Sequence, residues 1–520
     1  MAPETSPQSE NVVASPHAQL ETDGPPPFKF SSLWEREKLN PINLKSYTLP
    51  IFNLKSPYAR NFHLSWLAFH VAFLSWFAFP PLLPEAIKAD LKLTSAQVGN
   101  SNIVALSATL IVRMIAGPLV DRFGPRKVMA AILILGAIPS GLAGTVHSVQ
   151  GLYAVRFFIG ILGGTFVPCQ AWTTAFFDKN CVGRANALVG GWGNAGGGTT
   201  FVIMVALFSR LTRHHSLSPH SAWRVAFAIV PVPALLFVAV LTLVFGTDHP
   251  KGKWSERHKP IASLEVTTGA SRDGVVGEKH LDAEQGATVH VQDLSVPPSK
   301  SIQPHVLDFL GDHPVSEVDV AINQNLTSKM ALEIAINPLT WLPALAYLTT
   351  FGFELALDSS MANILFSLYK SPHFGQTKAG YFTSIVGLMN VWTRPFGGYL
   401  GDVVYRRFGV PGKKVLSLAM GFYIDSTKHP DLTTVIAILT ILVIPNEMGN
   451  GANFSLVPHC NAYSNGFMSG IVGAFGNMGG IFFALIFRFQ PLPLGKALWI
   501  SGIIAIVVNA LLIPIRVPRY

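Results

Sequence analysis

Arginine is among the least welcome residues in apolar sequence, yet this chain sets one there twice, in the same surroundings. Ile111 to Lys127 reads IVRMIAGPLVDRFGPRK, and Val391 to Lys414 reads VWTRPFGGYLGDVVYRRFGVPGKK. Arg113 precedes Asp121 by eight residues, and Arg394 precedes Asp402 by eight. Gly117 and Leu119 match Gly398 and Leu400 in the same frame. A guanidinium at membrane depth is costly, faces a bundle interior and marks a functional site. Its repetition predicts two related halves with a site between them.

Composition agrees with a membrane chain. Of 520 residues, 49% are hydrophobic and 13% charged, against about 25% charged in soluble domains. The net charge of +9 fits basic loops on one side of a bilayer better than nucleic-acid binding. Cys169, Cys181 and Cys460 form no ligand or redox spacing, so no metal site and no cofactor are expected. The loop histidines His214, His215 and His220 do not change that expectation. No nucleotide cradle or nucleophile–base pair suggests an enzyme. Gly191-Trp-Gly193-Asn-Ala-Gly196 fits a dinucleotide fingerprint, but it lies inside a long apolar helix without the strand that fingerprint requires.

Apolar stretches of roughly twenty residues predict an all-α membrane protein of about twelve spans. These fall near 63–83, 97–119, 128–147, 151–177, 185–208, 223–245, 338–366, 380–401, 432–456, 467–488 and 497–515, with a ninth, unusually short span at Val415–Ile424. The domain reading is a disordered tail over 1–61, a six-helix bundle over 62–246, a polar linker over 247–335, a second six-helix bundle over 336–516 and a short end over 517–520. Basic residues in the hairpins and the linker place the tail, linker and C-terminus in the cytoplasm. The serine-rich linker is a candidate target for a regulatory kinase or partner.

The hairpins Gly117–Lys127 and Gly398–Lys414 resemble the signature hairpin of the major facilitator superfamily and its second copy. Asp121, Arg122 and Arg126, with Asp402, Arg406 and Arg407, are read as a charge network that shuts one face. A second repeat accompanies them. ALVGGWGNAGGG (187–198) and IVGAFGNMGG (471–480) align Gly190, Gly193, Asn194, Gly196 and Gly197 with Gly473, Gly476, Asn477, Gly479 and Gly480. The glycines suit close helix packing, and the two amides are candidate anion donors.

These paired segments resemble the signature motifs of the nitrate/nitrite porter family, and Thr174–Asn180 with Asn446–Phe454 look like its fungal branch. The resemblance implies a nitrate importer, with nitrite a further substrate, driven by protons at the plasma membrane. It also implies that Arg113 and Arg394 bind the anion. Guanidinium is planar, permanently charged and a multiple donor, which matches a planar trigonal oxyanion. Phe166 and Phe454, which precede Pro168 and Pro458 in similar places of the repeat, are candidates to sandwich it. Glu354 and Asp358, at i and i+4, and Glu447 are candidate proton carriers. A nitrate/nitrite exchanger and a nitrate sensor with little flux remain the alternatives.

Overall fold

The computed structural model describes residues 19–20, 26, 28–40, 43–257, 326–404, 423–427, 429–460, 465–490, 492–493 and 495–512. Its first half contains α1 (Pro57–Trp76), α2 (Ser95–Phe123), α3 (Pro125–Leu142), α4 (Val149–Phe176), α5 (Lys179–Arg213) and α6 (Pro219–Phe245). The second contains α7 (Pro338–Tyr369), α8 (Gln376–Val404), α9 (Leu432–Cys460), α10 (Asn465–Phe489) and α11 (Lys496–Leu512). The predicted ninth span, apart from Tyr423 and Ile424, lies outside the described residues, as do Arg406, Arg407, the side chain of Asp402 and most of the linker. Among the described residues, seven helices are long and apolar enough to cross a membrane.

Polarity is distributed as a bilayer requires. Phe237 on α6 and Trp392 on α8 are 63% and 77% exposed, while Arg113, Arg394, Glu354 and Glu447 are all buried. Lipid can cover the former; only the protein can satisfy the latter.

Local chemistry starts and stops the helices. Thr94 and Gln97 form a reciprocal capping box at α2, and the side chains of Ser56, Ser148 and Asn337 cap α1, α4 and α7. Pro231 interrupts α6 after Val230, where a proline has no amide to donate. Gly124 turns the hairpin between α2 and α3 at φ 89°, a conformation that disfavours a side chain.

Two helix pairs make the most extensive contacts between the halves: α5 runs along α8, and α10 along α2. Within each half the same glycines admit a neighbour. A Cβ on Gly196 would lie 2.1 Å from the His70 carbonyl of α1, and one on Gly479 would lie 1.9 Å from the Leu348 carbonyl of α7. Gly193 and Gly476 likewise face Phe69 and Tyr347. The repeat in sequence is thus a repeat in packing.

The described residues just ahead of α1 are bonded where the sequence predicts a disordered tail. Asn40 donates to Asp178 (3.0 Å), Asp178 N–H to Ser46 O (2.9 Å) and Asn180 to Tyr47 O (3.0 Å), so Asn40, Ser46 and Tyr47 are pinned to the α4–α5 turn. A tail composition says nothing of backbone groups that a neighbouring turn can satisfy. At the opposite end, Asp90 binds Arg224 and His220 (2.6 Å each) and Trp223 (3.0 Å), tying the α1–α2 connection to α6. Burial opposes the Asp90 carboxylate, but these bonds outweigh it and hold the group below its ordinary 3.8.

Gly196→Leu and Gly479→Leu should each abolish the monodisperse peak in size-exclusion chromatography of detergent extracts. Gly375→Leu, which meets no atom within 4 Å, should leave it intact. Intact peaks for the first two would contradict the packing described.

Candidate functional site

Arg113 lies in α2, where the glycines of α4 bring a second helix close. A Cβ at Gly160 would meet Ala105 O at 2.5 Å, and one at Gly163 would meet Thr109 at 2.3 Å. Gly160–Thr165 is wound as a tighter 3-10 helix. Its Gly163 carbonyl accepts from Arg113 Nε at 2.9 Å. Nη1 of Arg113 crosses to the other half and donates to Gly473 O on α10, also at 2.9 Å. The guanidinium lies over the Phe166 and Phe351 rings, at 4.8 and 5.1 Å. Nη2 is buried and has no hydrogen-bond partner among the described residues.

Arg394 lies in α8 and reaches the other way. A Cβ on Gly190 of α5 would stand 4.0 Å from Arg394 Nη1, and one on Gly473 would stand 3.1 Å from Arg113 Cδ. The arginine of each half therefore rests on the signature helix of the other. Both guanidiniums share one ring, Phe351, which lies 5.4 Å from Arg394. Their partners differ, however. Arg394 Nη2 binds Glu354 Oε2 at 2.6 Å, and Nε binds Glu447 Oε2 at 3.1 Å. Asn450 donates to both of those oxygens, at 2.8 and 3.1 Å, and Asn390 donates to Glu354 Oε1 at 2.8 Å.

The predicted residues thus converge, with differences in detail. Asn194 and Asn477 repeat one another: each Nδ2 donates to the carbonyl four residues back, at Gly190 (2.7 Å) and Gly473 (3.0 Å). Each Oδ1 is buried without a partner among the described residues. Phe166 and Phe454 meet edge-on at 4.5 Å, leaving no gap for a flat ion between them. Phe166 instead lies nearly parallel to Tyr347, at 6.0 Å, and Tyr347 stacks on Phe351 at 4.7 Å. Asp358 is buried among the carboxylates, and its Oδ1 has no partner among the described residues.

Tyr347, Phe351, Asn390 and Asn450 were missed. Asn450 stood inside the quoted Asn446–Phe454 motif, and Tyr347 and Phe351 lie at i and i+4 from each other and, for Phe351, three residues before Glu354. Helical spacing held that signal, but 35 phenylalanines hid it.

Bonds from the first hairpin reach the segment past α6. Arg126 pairs with Asp248 (3.3 Å) and bonds Gly246 O (3.2 Å), both just past α6. Trp254 and Arg257 donate to the Asp121 carbonyl at 2.9 and 3.1 Å. The Asp121 carboxylate faces α10, since a Cβ on Gly466 would lie 2.6 Å from Oδ1. An acid beside the first turn of a helix interacts favourably with its dipole. Arg122 stacks on Phe123 at 5.1 Å. Burial pushes the Asp248 carboxyl up, with Arg126 opposing that shift.

Two repeated halves with a buried charged centre are the design of a secondary transporter, and the Major Facilitator Superfamily profile matches residues 65–484. Solved structures share the fold: a proton:xylose symporter (TM-score 0.59, 14% identity, 87% of this chain and 95% of that one) and a bacterial homologue of the human lysosomal transporter Spinster (TM-score 0.56, 15% identity, 88% and 96%). High affinity nitrate transporter 2.5 of Arabidopsis thaliana is 31% identical over 454 residues, covering 85% of this chain and 76% of the relative. Nitrate/nitrite transporter NrtP of Nostoc punctiforme is 27% identical over 471 residues, covering 85% and 89%. The chain belongs to the major facilitator superfamily and, within it, to the nitrate/nitrite porter family. It is a transporter, not an enzyme.

Removing one partner of a buried ion pair costs about 3–5 kcal/mol. Glu354→Ala should therefore lower the melting temperature of the purified protein sharply, and Glu354→Gln, which keeps an acceptor for Asn390, less so. Glu333→Ala, at an exposed site, should leave it unchanged. Equal melting temperatures for Glu354→Ala and Glu333→Ala would contradict the pairing.

Proposed function

We propose that this protein imports nitrate, and nitrite as a second substrate, with protons across the plasma membrane. The transported anion docks between Arg113 and Arg394 by alternating access. The carrying observation is the crossed pair of guanidiniums, each resting on the other half's asparagine helix over a shared aromatic ring. Guanidinium forks match the three oxygens of nitrate, and the Phe351 ring supplies an apolar face for a planar ion. The second N–H of the Asn194 and Asn477 amides complements them. The names of the relatives, nitrate and nitrate/nitrite transporters, support the same substrate.

Moving an anion into a negative interior costs about 2.3 kcal/mol per 100 mV. Two protons per anion make the net movement inward-positive. Glu354, Asp358 and Glu447 are the carriers in this reading. Glu354 and Glu447 pair directly with Arg394, so a proton on either is felt at the anion site; Asp358 has no ion pair among the described residues.

The hairpin end is the cytoplasmic one, with both termini and the 247–335 linker on that side. Asp121, Arg126 and Asp248 hold it shut, and Asp402, Arg406 and Arg407 are their counterparts in the second half. The linker is where a kinase or partner acts.

Under voltage clamp, nitrate should evoke an inward current that grows as external pH falls. Arg113→Lys and Arg394→Lys should reach the surface and carry none, because a point charge does not replace a fork. Undiminished current in either variant would exclude the clamp. Pure exchange would instead appear as labelled nitrate uptake that depends on internal nitrite.

A further inference from the structure

The repeat makes the two arginines look alike, but their surroundings divide them. Arg113 is held only by neutral groups: two carbonyls, two aromatic faces and, on Nη2, nothing among the described residues. Its charge is uncompensated at first contact. Arg394 is gripped by two carboxylates, through Nη2 and Nε. An anion approaching Arg394 must compete with both.

We propose that Arg113 is the standing anion ligand and Arg394 a switched one, released to the anion when protons neutralise Glu354 and Glu447. The inference rests on the nitrate reading above and adds how protons and anion are coupled. The groups facing the switch are few. Arg113 comes from α2, Tyr347, Glu354 and Asp358 from α7, Arg394 from α8 and Glu447 from α9; the other neighbours are the amides Asn390, Asn446 and Asn450.

Two observations beyond the ion pairs support it. The first is charge. With Glu354, Asp358 and Glu447 all ionised, two guanidiniums stand against three buried carboxylates, an excess of one negative charge that repels an anion. Two protons convert this to an excess of one positive charge, which a monovalent anion neutralises. The second is the state of the asparagines. Asn390 and Asn450 each donate Nδ2 to the carboxylates, while their Oδ1 atoms are buried without partners among the described residues. A buried polar atom left unbonded is expensive. Turning either amide over presents that oxygen where the nitrogen now sits, as an acceptor for the O–H that protonation creates. The site thus holds unfilled acceptors that fit the protonated state. The step is a simple addition: each carboxylate oxygen gains a proton from the aqueous side, its ion pair with Arg394 breaks, and the guanidinium donors pass to the anion.

The test is equilibrium nitrate binding to the purified full-length chain in lipid nanodiscs, by calorimetry from pH 5.5 to 8. Wild-type affinity should weaken about tenfold per pH unit for each proton taken up, so by ten- to a hundredfold per unit. Glu354→Gln/Glu447→Gln should bind with affinity nearly independent of pH. A pH-independent wild type, or a double variant with the wild-type slope, would overturn the switch. Absence of nitrate binding by the wild type at every pH would instead defeat the nitrate reading itself, and the switch with it. Should the double variant fail to fold, the wild type alone decides: nitrate added to weakly buffered protein should raise the pH of the solution, and no rise means no coupled protons.

Discussion

Two guanidiniums held away from water set the terms for everything around them. An isolated charge in such surroundings is prohibitively costly, so each must be paired, bonded or reserved for a ligand. The structure uses a different answer for each. Arg394 is neutralised in place by Glu354 and Glu447. Arg113 is tolerated through carbonyls and ring faces. The glycines follow from this constraint, because only helices that nearly touch can deliver backbone carbonyls to a buried arginine. Gly160 and Gly163 do so for α4 against α2, and Gly473 for α10.

The same closeness couples the centre to the ends. The α2 helix that carries Arg113 has Asp121 in its last turn, facing the start of α10, and α10 carries the Gly473 carbonyl and Asn477. Any rotation of one half against the other must move both contacts together. The segment after α6 braces this region through Asp248, Trp254 and Arg257. On the proposed reading, binding at the centre and closure at the hairpin are therefore one rigid-body event.

Much of the fold was legible because lipid enforces a crude code. Runs of apolar residues located α1 to α8 within a few positions, although α1 begins at Pro57 rather than at 63. The repeated arginines and asparagines were legible because charge and amide are rare in such runs. The docking of Asn40, Ser46 and Tyr47 on the α4–α5 turn was not, since it depends largely on backbone groups that every sequence carries. The difference between Arg113 and Arg394 was likewise invisible. Helix 2 has no acid before Asp121 and helix 8 none near Arg394; the carboxylates arrive from α7 and α9 by tertiary packing. Phe166 and Phe454 illustrate the opposite case, where matched positions in the repeat become contacting rings rather than opposed plates.

The account turns on a site that needs two protons before it can hold one anion. The most direct measurement is the reversal potential of the nitrate-evoked current as the transmembrane pH difference is varied. Two protons per nitrate predict a shift of about 120 mV per pH unit, since each proton contributes about 1.4 kcal/mol per unit and one net charge moves. A reversal potential that ignores pH would contradict proton coupling at this site and leave the three carboxylates without a transport role.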